Sequence, residues 1–358
     1  MQDGKKQSNT PKVSFDIFHA FGNTPFNPHN VWELKRSIFM LNMQKCAVIG
    51  CGNVGATCAY TLMHNGILSE IVLLDANAKK AEGEAMDLNH ALPFLSPMKI
   101  YAGTYEDLLD CGIIIIAAGA GQLPGETRID LLHKNAKILR SILQGIKEYN
   151  REAILLLVSN PVDILTYIAL RQSGFNPSRV IGSGTVLDTA RLKFLVGKML
   201  DVDSRNVHTF IIGEHGDSEL PVWSSANISG IDLNDFCHIN GINDYMQRLE
   251  SMFEEVRTSA YKIIENKGAT YYAIAEAVER IVESIVRNEE SILPVSTLVE
   301  GHYGLHDICL GVPAIIGRNG VKTVLDIPLS DTEYGALHAS ADALRTAISS
   351  LDKEALVL

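Results

Sequence analysis

Apolar runs alternate with helical patterns over the first half of the chain. Between Lys45 and Ile181, short stretches that are apolar at nearly every position are separated by longer ones in which apolar residues recur every three or four positions. A strand that is apolar throughout is buried on both faces, which is typical of a parallel sheet covered by helices. The pattern predicts an α/β fold with strands at 46–50, 71–75, 113–118, 154–158 and 180–181 and helices at 54–65, 78–90, 129–149 and 161–173.

The pattern changes after residue 182. Long helical periodicity covers 246–288 with an interruption at 268–270, and an apolar stripe between Leu337 and Leu351 predicts a C-terminal helix. We therefore expect two domains, one at 43–182 and an α+β domain at 183–358. The second domain also contains a predicted helix ending near 200, a strand at 206–212, and three antiparallel strands near 292–299, 308–316 and 321–327.

The N-terminal segment lacks both periodicities. Residues 1–42 mix polar, charged and aromatic residues, and Met40 and Met43 stand next to the first strand. We expect an N-terminal extension at 1–42 that is disordered or not native to the protein. The alternative is an arm that contacts another subunit.

Composition excludes several classes of partner. The net charge of -11 argues against nucleic acid and against anionic membranes, and no apolar run is long enough to span a bilayer. The six cysteines form no C-x-x-C pair, so we expect reduced thiols and no metal site. Since no secretory signal follows the N-terminus, the expected location is the cytoplasm.

A glycine turn follows the first predicted strand and opens a helix. It reads Gly50-Cys51-Gly52-Asn53-Val54-Gly55. Such a turn lets a pyrophosphate approach the backbone and the amides at the helix N-terminus. Asp75 stands 20 residues after Gly55, at the end of the second strand. A carboxylate there binds ribose hydroxyls and repels a 2′-phosphate, so the pattern predicts NAD as the cofactor rather than NADP.

Two further segments lie at the carboxyl ends of predicted strands, where ligands of open α/β sheets bind. Residues 117–128 are rich in glycine and polar residues, which indicates a mobile loop. Asn160 follows the strand at 154–158 and precedes Pro161. We interpret Asn160 as a polar group that faces the cofactor, and a helix N-cap is the compatible alternative.

His215 is the candidate proton donor, because the pKa of histidine lies near neutral pH. It stands in a turn between Gly213 and Gly216, so a simple turn residue is the alternative. Asp188 is the candidate partner that fixes the tautomer of the imidazole, and a plain acid at a helix N-terminus is its alternative.

Two arginines are candidates for holding an anionic substrate. Arg191 follows Asp188 by three residues, so both would share one helical face, and its guanidinium could bind a carboxylate by two bonds. Arg128 ends the glycine-rich loop and could stabilise charge on a carbonyl oxygen when the loop closes. A solvated surface arginine is the alternative for Arg128.

Six motifs in order resemble the lactate/malate dehydrogenase family, and within it the bacterial L-lactate dehydrogenases. They are G-C-G-N-V-G, Q-L-P-G-E-T-R, S-N-P-V-D, D-T-A-R, G-E-H-G-D and K-G-A-T, and the resemblance covers about residues 44–352. It implies an N-terminal Rossmann-type, doubly wound parallel sheet plus a C-terminal α+β substrate domain. It also implies a cytoplasmic homotetramer that reversibly reduces pyruvate to (S)-lactate with NADH. The alternatives are a malate dehydrogenase, a broader L-2-hydroxy acid dehydrogenase, and an NAD-binding protein without turnover.

The resemblance also implies roles for single residues. His215 would be the acid/base, Asp188 its partner, Arg191 the carboxylate anchor and Arg128 the polariser of the carbonyl. The implied substrate site consists of Gln122, Arg128, Asn160, Asp188, Arg191 and Thr270. The implied cofactor site consists of Gly50, Gly52, Asn53, Val54, Gly55, Asp75, Lys80, Tyr105, Gly119, Ala120, Ser141, Val158, Ser159 and Asn160.

Two positions bear on specificity and regulation. Malate dehydrogenases of this fold carry arginine at the position of Gln122, which favours a substrate without a second carboxylate. Many bacterial relatives are activated by fructose 1,6-bisphosphate through a basic pair at a subunit interface. His208 matches one member of that pair, and Lys193 stands where the family usually has arginine.

Overall fold

In the computed structural model the described residues are 40–121, 125 and 127–351. Residues 1–39 of the predicted extension, Gln122 and the side chain of Arg128 lie outside this description. From Leu41 onward the described residues form one compact unit. Its strands are β1 (Asn42–Ile49), β2 (Glu70–Leu74), β3 (Lys99–Ala102), β4 (Cys111–Ile116), β5 (Ile154–Leu157), β6 (Val180–Gly182), β7 (Val207–His208), β8 (Ile211–Ile212), β9 (Leu220–Pro221), β10 (Asn227–Ile228), β11 (Ile231–Asp232), β12 (Ser291–Val299), β13 (Ile308–Gly317) and β14 (Gly320–Val324).

Helices follow most of the strands in the first half of the chain and form long stretches in the second half. They are α1 (Asn53–Asn65), α2 (Ala78–Ala91), α3 (Arg128–Tyr149), α4 (Val162–Ser173), α5 (Val186–Leu200), α6 (Leu233–Ile239), α7 (Tyr245–Lys267), α8 (Tyr272–Arg287) and α9 (Asp331–Ser349).

One nine-stranded sheet carries the fold, in the order β14-β13-β12-β6-β5-β4-β1-β2-β3. The first six strands of the chain are parallel to one another and have the order 3-2-1-4-5-6 of a doubly wound sheet. The antiparallel strands β12 to β14 extend this sheet, because Ser296 of β12 pairs with Gly182 of β6. The predicted fold class is therefore confirmed.

The core lies where the apolar runs predicted it. The four isoleucines of β4, Ile113 to Ile116, are at most 1% exposed, because helices cover both faces of the sheet at its centre. A second, smaller apolar cluster joins α5, α6 and α7 to the short strands β7 and β10, and Leu192 and Val196 lie in it. The helix α5 thus packs in this cluster and carries the candidate residues Asp188 and Arg191 in its first two turns.

The predicted strands need correction at several points, and the two-residue strands β9, β10 and β11 were not predicted. The strand β1 begins at Asn42 rather than at residue 46, because Asn42 pairs with Cys111 of β4. The edge strand β3 was not predicted, since four residues of mixed polarity carry little periodic signal. The predicted strand at 206–212 is two short strands, because Thr209 and Phe210 separate a segment that pairs with β10 from one that pairs with β9.

All six cysteines are buried free thiols, as the sequence predicted. Four of them, Cys46, Cys51, Cys58 and Cys111, lie in the large core, and Cys237 lies in the smaller cluster. Burial raises the pKa of each of these thiols. Within the described part of the chain, no helix is both long enough and apolar enough to cross a membrane.

Candidate active site

The glycine turn between β1 and α1 requires glycine at two positions. Gly50 has φ +100°, and a Cβ there would lie 2.4 Å from the backbone nitrogen of Ala118. A Cβ on Gly55 would lie 1.8 Å from the carbonyl oxygen of Gly50. The N-terminus of α1 has no side-chain cap and no acidic residue in its first turn. Its amides are therefore available to an anion such as a pyrophosphate.

Asp75 holds the end of β2 against this turn. One of its carboxylate oxygens accepts a hydrogen bond from the backbone of Cys51 and the other from the backbone of Asn77, each at 2.8 Å. These bonds fix the carboxylate in the wall of a crevice of about 820 Å³. Eight of the predicted cofactor residues line the crevice: Gly50, Gly52, Asp75, Lys80, Tyr105, Gly119, Ala120 and Ser141.

The crevice fits a dinucleotide. A Cβ on Gly52 would meet no atom within 4 Å, so the backbone there faces open space that a phosphate can enter. The other predicted cofactor residues are not among the described residues that line the crevice. Gly55 packs on the turn, Val158 and Ser159 bond to β4 and the segment after it, Asn53 and Val54 begin α1, and Asn160 lines a second cavity.

The second cavity, of about 290 Å³, brings four predicted residues together. Asn160, Asp188, Arg191 and His215 line it. One wall comes from α7, whose place in the site was not predicted because its helical pattern contains no distinctive polar motif. The residues of α7 in this wall are Val256, Arg257, Ala260, Tyr261 and Ile264.

The turn that carries His215 is fixed from three sides. Gly213 pairs with Gly311 of β13 through two backbone hydrogen bonds of 2.8 Å. The backbone nitrogen of His215 donates to a carboxylate oxygen of Asp163, on α4, at 2.7 Å. The ring nitrogen Nδ1 of His215 lies 2.5 Å from Oδ2 of Asp188, on α5. Backbone and ring are thus held by separate acids.

Asp188 connects the histidine to Arg191. Its Oδ1 accepts a hydrogen bond of 2.8 Å from the guanidinium of Arg191, while Oδ2 contacts the imidazole. Burial would raise the pKa of Asp188, but the charges and hydrogen bonds of its two partners lower it overall. Burial likewise opposes the charged form of His215, yet the charge and hydrogen bond of Asp188 raise the pKa of His215 to about 9. The buried site thus favours an imidazolium beside a carboxylate.

Three further polar residues of the site were not singled out from the sequence. Asp163 is 2% exposed, and burial raises its pKa to about 6. Glu219 is 7% exposed and lines the second cavity. Asn135 is 3% exposed on α3 and bonds to the backbone of both Ala120 and Asn160. Asp163 ends the S-N-P-V-D motif, whereas Glu219 and Asn135 stand among other polar residues, so the local pattern does not distinguish them.

The remaining predicted residues lie outside this arrangement. Arg128 is the first residue of α3, directly after the helix cap Thr127. Thr270 lies half-buried in the connection between α7 and α8 and is not among the described residues that line the cavity. Lys193 is half-buried on α5, where burial lowers its pKa, and His208 is exposed on β7.

Two protein-family models match the chain. The "lactate/malate dehydrogenase, NAD binding domain" matches residues 44–182, and the "lactate/malate dehydrogenase, alpha/beta C-terminal domain" matches residues 185–355. NAD as the cofactor, predicted from the glycine turn and Asp75, is therefore confirmed.

Curated relatives match over most of their length. L-lactate dehydrogenase of Acetivibrio thermocellus is 53% identical over 311 residues, which are 87% of this chain and 98% of the relative. L-lactate dehydrogenase 1 of Clostridium acetobutylicum is 50% identical over 307 residues, which are 86% of this chain and 98% of the relative.

Solved structures match in the same way. A lactate dehydrogenase enzyme from a Medee basin deep-sea metagenome library, MGS-M5, has a TM-score of 0.82 at 44% identity, over 85% of this chain and 98% of that one. The minor L-lactate dehydrogenase of Enterococcus mundtii, in a ligand-bound form, has a TM-score of 0.84 at 38% identity, over 86% of this chain and 98% of that one.

Proposed function

Because the chain belongs to the lactate/malate dehydrogenase family, we propose that it is an NAD-dependent L-lactate dehydrogenase that interconverts pyruvate and (S)-lactate. The observation that carries the proposal is that His215, Asp188 and Arg191 line one cavity. The proton donor His215 and the carboxylate anchor Arg191 each bond to one oxygen of Asp188. The name of the curated relatives, at about half identity, supports the choice of lactate.

His215 moves the proton of the reaction. When bound, the nicotinamide ring supplies or accepts the hydride. The contact of Nδ1 with Asp188 leaves Nε2 to donate a proton to the carbonyl oxygen of pyruvate, or to take one from the hydroxyl of lactate. The pKa of about 9 keeps the imidazolium populated at neutral pH, so the enzyme is ready to reduce a ketone.

Arg191 binds the carboxylate of the substrate. One of its nitrogens, Nη1, is engaged by Asp188, and the rest of the planar guanidinium can form two parallel bonds to a carboxylate. Its side chain is 15% exposed, so this ion pair forms in a site with little water. Desolvation strengthens the attraction, and Asn160 in the same cavity adds a polar group beside the substrate.

We assign three roles from the family motifs. Arg128 polarises the carbonyl of the substrate, and its position at the start of α3, after the loop, supports this role. Gln122 selects the substituent at C3 of the substrate and favours the methyl group of pyruvate over a carboxylate. Thr270 contributes to the same pocket.

The test is an assay of NADH oxidation with pyruvate, with oxaloacetate and with longer 2-oxo acids. We expect pyruvate to have the highest kcat/KM. A preference for oxaloacetate would identify a malate dehydrogenase instead, and similar values for all substrates would identify a broader 2-hydroxy acid dehydrogenase. No turnover with any of them would favour an NAD-binding protein without activity.

We also propose a cytoplasmic homotetramer that acts in fermentative glycolysis, with a boundary near residue 182 between a cofactor domain and a substrate domain. Fructose 1,6-bisphosphate would activate the tetramer by binding His208 and Lys193 from facing subunits. The exposure of His208 supports this assignment. Light scattering, with and without fructose 1,6-bisphosphate, measures the size of the assembly. A monomer under both conditions would refute the proposed tetramer.

A further inference from the structure

Glu219 lies beside the Asp188–His215 pair and has no role in the chemistry described above. It is 7% exposed. One oxygen of Glu219, one oxygen of Asp188 and a ring nitrogen of His215 all lie within 4.8 Å of one another. The carboxyl groups of Glu219 and Asp188 share a hydrogen bond. Since an ionised carboxylate can only accept, one of these two groups must carry a proton.

Ionisation of every carboxyl group at the site would leave the cavity with an excess of negative charge. The three buried acids at the site are Asp188 and Glu219 in the cavity wall and Asp163 behind His215. If all three were ionised, they would bring three buried negative charges against Arg191 and the imidazolium of His215, and the less buried Glu214, Asp217 and Arg257 of the same cavity add two negative charges and one positive charge. The carboxylate of a 2-oxo acid would add a further negative charge. Two carboxyl groups that share a buried site do not both ionise, because desolvation and mutual repulsion add together.

The proton belongs on Glu219 rather than on Asp188. Asp188 has the guanidinium of Arg191 at 2.8 Å and the imidazole of His215 at 2.5 Å, and both stabilise its charged form. Glu219 has no ion pair of this kind among the described residues. Burial, followed by the charge of Asp188, raises the pKa of Glu219 to about 9.

We propose that Glu219 is a positioning residue that stays protonated during turnover and donates its hydrogen bond to Asp188. The bond holds Asp188 from a third side, so its carboxylate stays aligned with both His215 and Arg191. A neutral Glu219 also spares the anionic substrate a repulsive charge beside its anchor. This benefit to substrate binding rests on the proposed function, because it requires an anionic substrate.

The other charged and titratable groups around Glu219 come from four elements. Their charges also act on Glu219, so the pH dependence of any variant includes their effect. They are Asp188 and Arg191 on α5, Glu214, His215 and Asp217 in the turn, Arg257 and Tyr261 on α7, and Asp163 on α4 behind His215.

Stability against pH tests the protonation without using activity. Glu219→Gln keeps the shape and a donor but cannot ionise. In wild type, the folded state holds a proton on Glu219 that the unfolded chain releases above its ordinary pKa of 4.5. Wild-type stability therefore falls as pH rises towards 9, and the variant escapes this part of the loss. We expect the Tm of the variant, relative to wild type, to increase steadily between about pH 6 and about pH 9.

Glu333→Gln is the matched control. Glu333 is 9% exposed at the start of α9, and it accepts bonds from Ser224 and Ser330 that contribute to lowering its pKa against the effect of burial. It is ionised in both states above neutral pH, so the Tm difference of this variant should not change over the same range. If Glu219→Gln behaves like this control, Glu219 is ionised and the inference is wrong.

Kinetics test the positioning role. Glu219→Ala removes the donor to Asp188 and should lower kcat/KM for pyruvate about tenfold or more, since a hydrogen bond to a charged group contributes ~1.5–3 kcal/mol. Glu219→Gln should recover most of this loss. The alkaline midpoint of the kcat/KM profile should stay in place in Glu219→Gln, whereas removal of an ionised carboxylate would shift it downward by about one unit or more.

Each result has a distinct meaning. A glutamine variant as poor as the alanine variant, or a downward shift of its alkaline midpoint, would overturn the positioning role. If wild type reduces no 2-oxo acid while the Tm difference still increases with pH, the proposed function fails and the protonation of Glu219 stands.

Discussion

Substitution of Asp188 by asparagine should lower the pKa of the proton donor His215 and with it the rate of pyruvate reduction. Asparagine has the same shape as aspartate, so it removes the charge between His215 and Arg191 without opening a cavity. In wild type, the two oxygens of Asp188 contact these two partners at 2.5 and 2.8 Å. The variant has only one acceptor oxygen, so it cannot serve both partners as the carboxylate does.

The magnitude follows from the pKa of His215. A rise from 6.5 to about 9 corresponds to about 3 kcal/mol in favour of the imidazolium. Without Asp188, burial brings the pKa to 6.5 or below, so near pH 7.5 only about a tenth of His215 remains protonated. The loss of the charge-assisted bonds adds ~1–3 kcal/mol. Together these effects predict a fall in kcat/KM for pyruvate of about 100-fold to 1,000-fold.

The assay is the pH profile of kcat/KM for pyruvate reduction. In wild type the alkaline limb should have its midpoint near the pKa of His215, about 9, and in Asp188→Asn it should move to about 6.5 or lower. Asp203→Asn is the control, because Asp203 pairs with Arg205 at the surface, away from the cavity. A loss below about threefold, or a midpoint that moves by less than one unit, would refute the electrostatic coupling.

Three further substitutions or additions test the cofactor, the substrate and the effector. Asp75→Ser should weaken NADH and improve NADPH, because a carboxylate near a 2′-phosphate is repulsive; an unchanged ratio of the two kcat/KM values would mean that Asp75 does not read the ribose. Gln122→Arg should shift preference from pyruvate to oxaloacetate by at least about tenfold, since arginine supplies the counter-ion that a second carboxylate needs, and a smaller shift would contradict the assignment. Millimolar fructose 1,6-bisphosphate should raise pyruvate affinity, though less than in relatives with arginine at the position of Lys193, because lysine lacks the planar fork; identical kinetics and assembly would exclude this effector.

The parallel half of the sheet could be predicted because burial on both faces leaves a strong signal. The runs around Ile113 and Leu155 are apolar at every position, so their burial inside a parallel sheet could be predicted from composition, whereas their pairing with each other is seen only in the structure. The edge strand β3 escaped prediction, because an edge strand of four residues needs few apolar positions. The division at Thr209 and Phe210 also escaped, since it depends on pairing with strands that lie far along the chain.

For the candidate site, prediction depended on motifs. His215, Asp188 and Arg191 belong to short patterns with a chemical reason for each residue, and the structure brings them within bonding distance. Glu219 and Asn135 were missed, because each stands among other polar residues along the chain and acquires its buried partners only through tertiary packing. Such residues can be recognised from sequence only when their partners are already known.

The six buried thiols allow local unfolding of this protein to be followed by chemical labelling. A thiol reagent reacts with the exposed thiolate, and here burial both hides each sulfur and disfavours its ionisation. Labelling therefore proceeds only through local or global unfolding. Cys237 lies in the smaller apolar cluster and Cys46 lies in the large core. Mass spectrometry of partly labelled protein would show which cluster opens first, and no engineered probe would be needed.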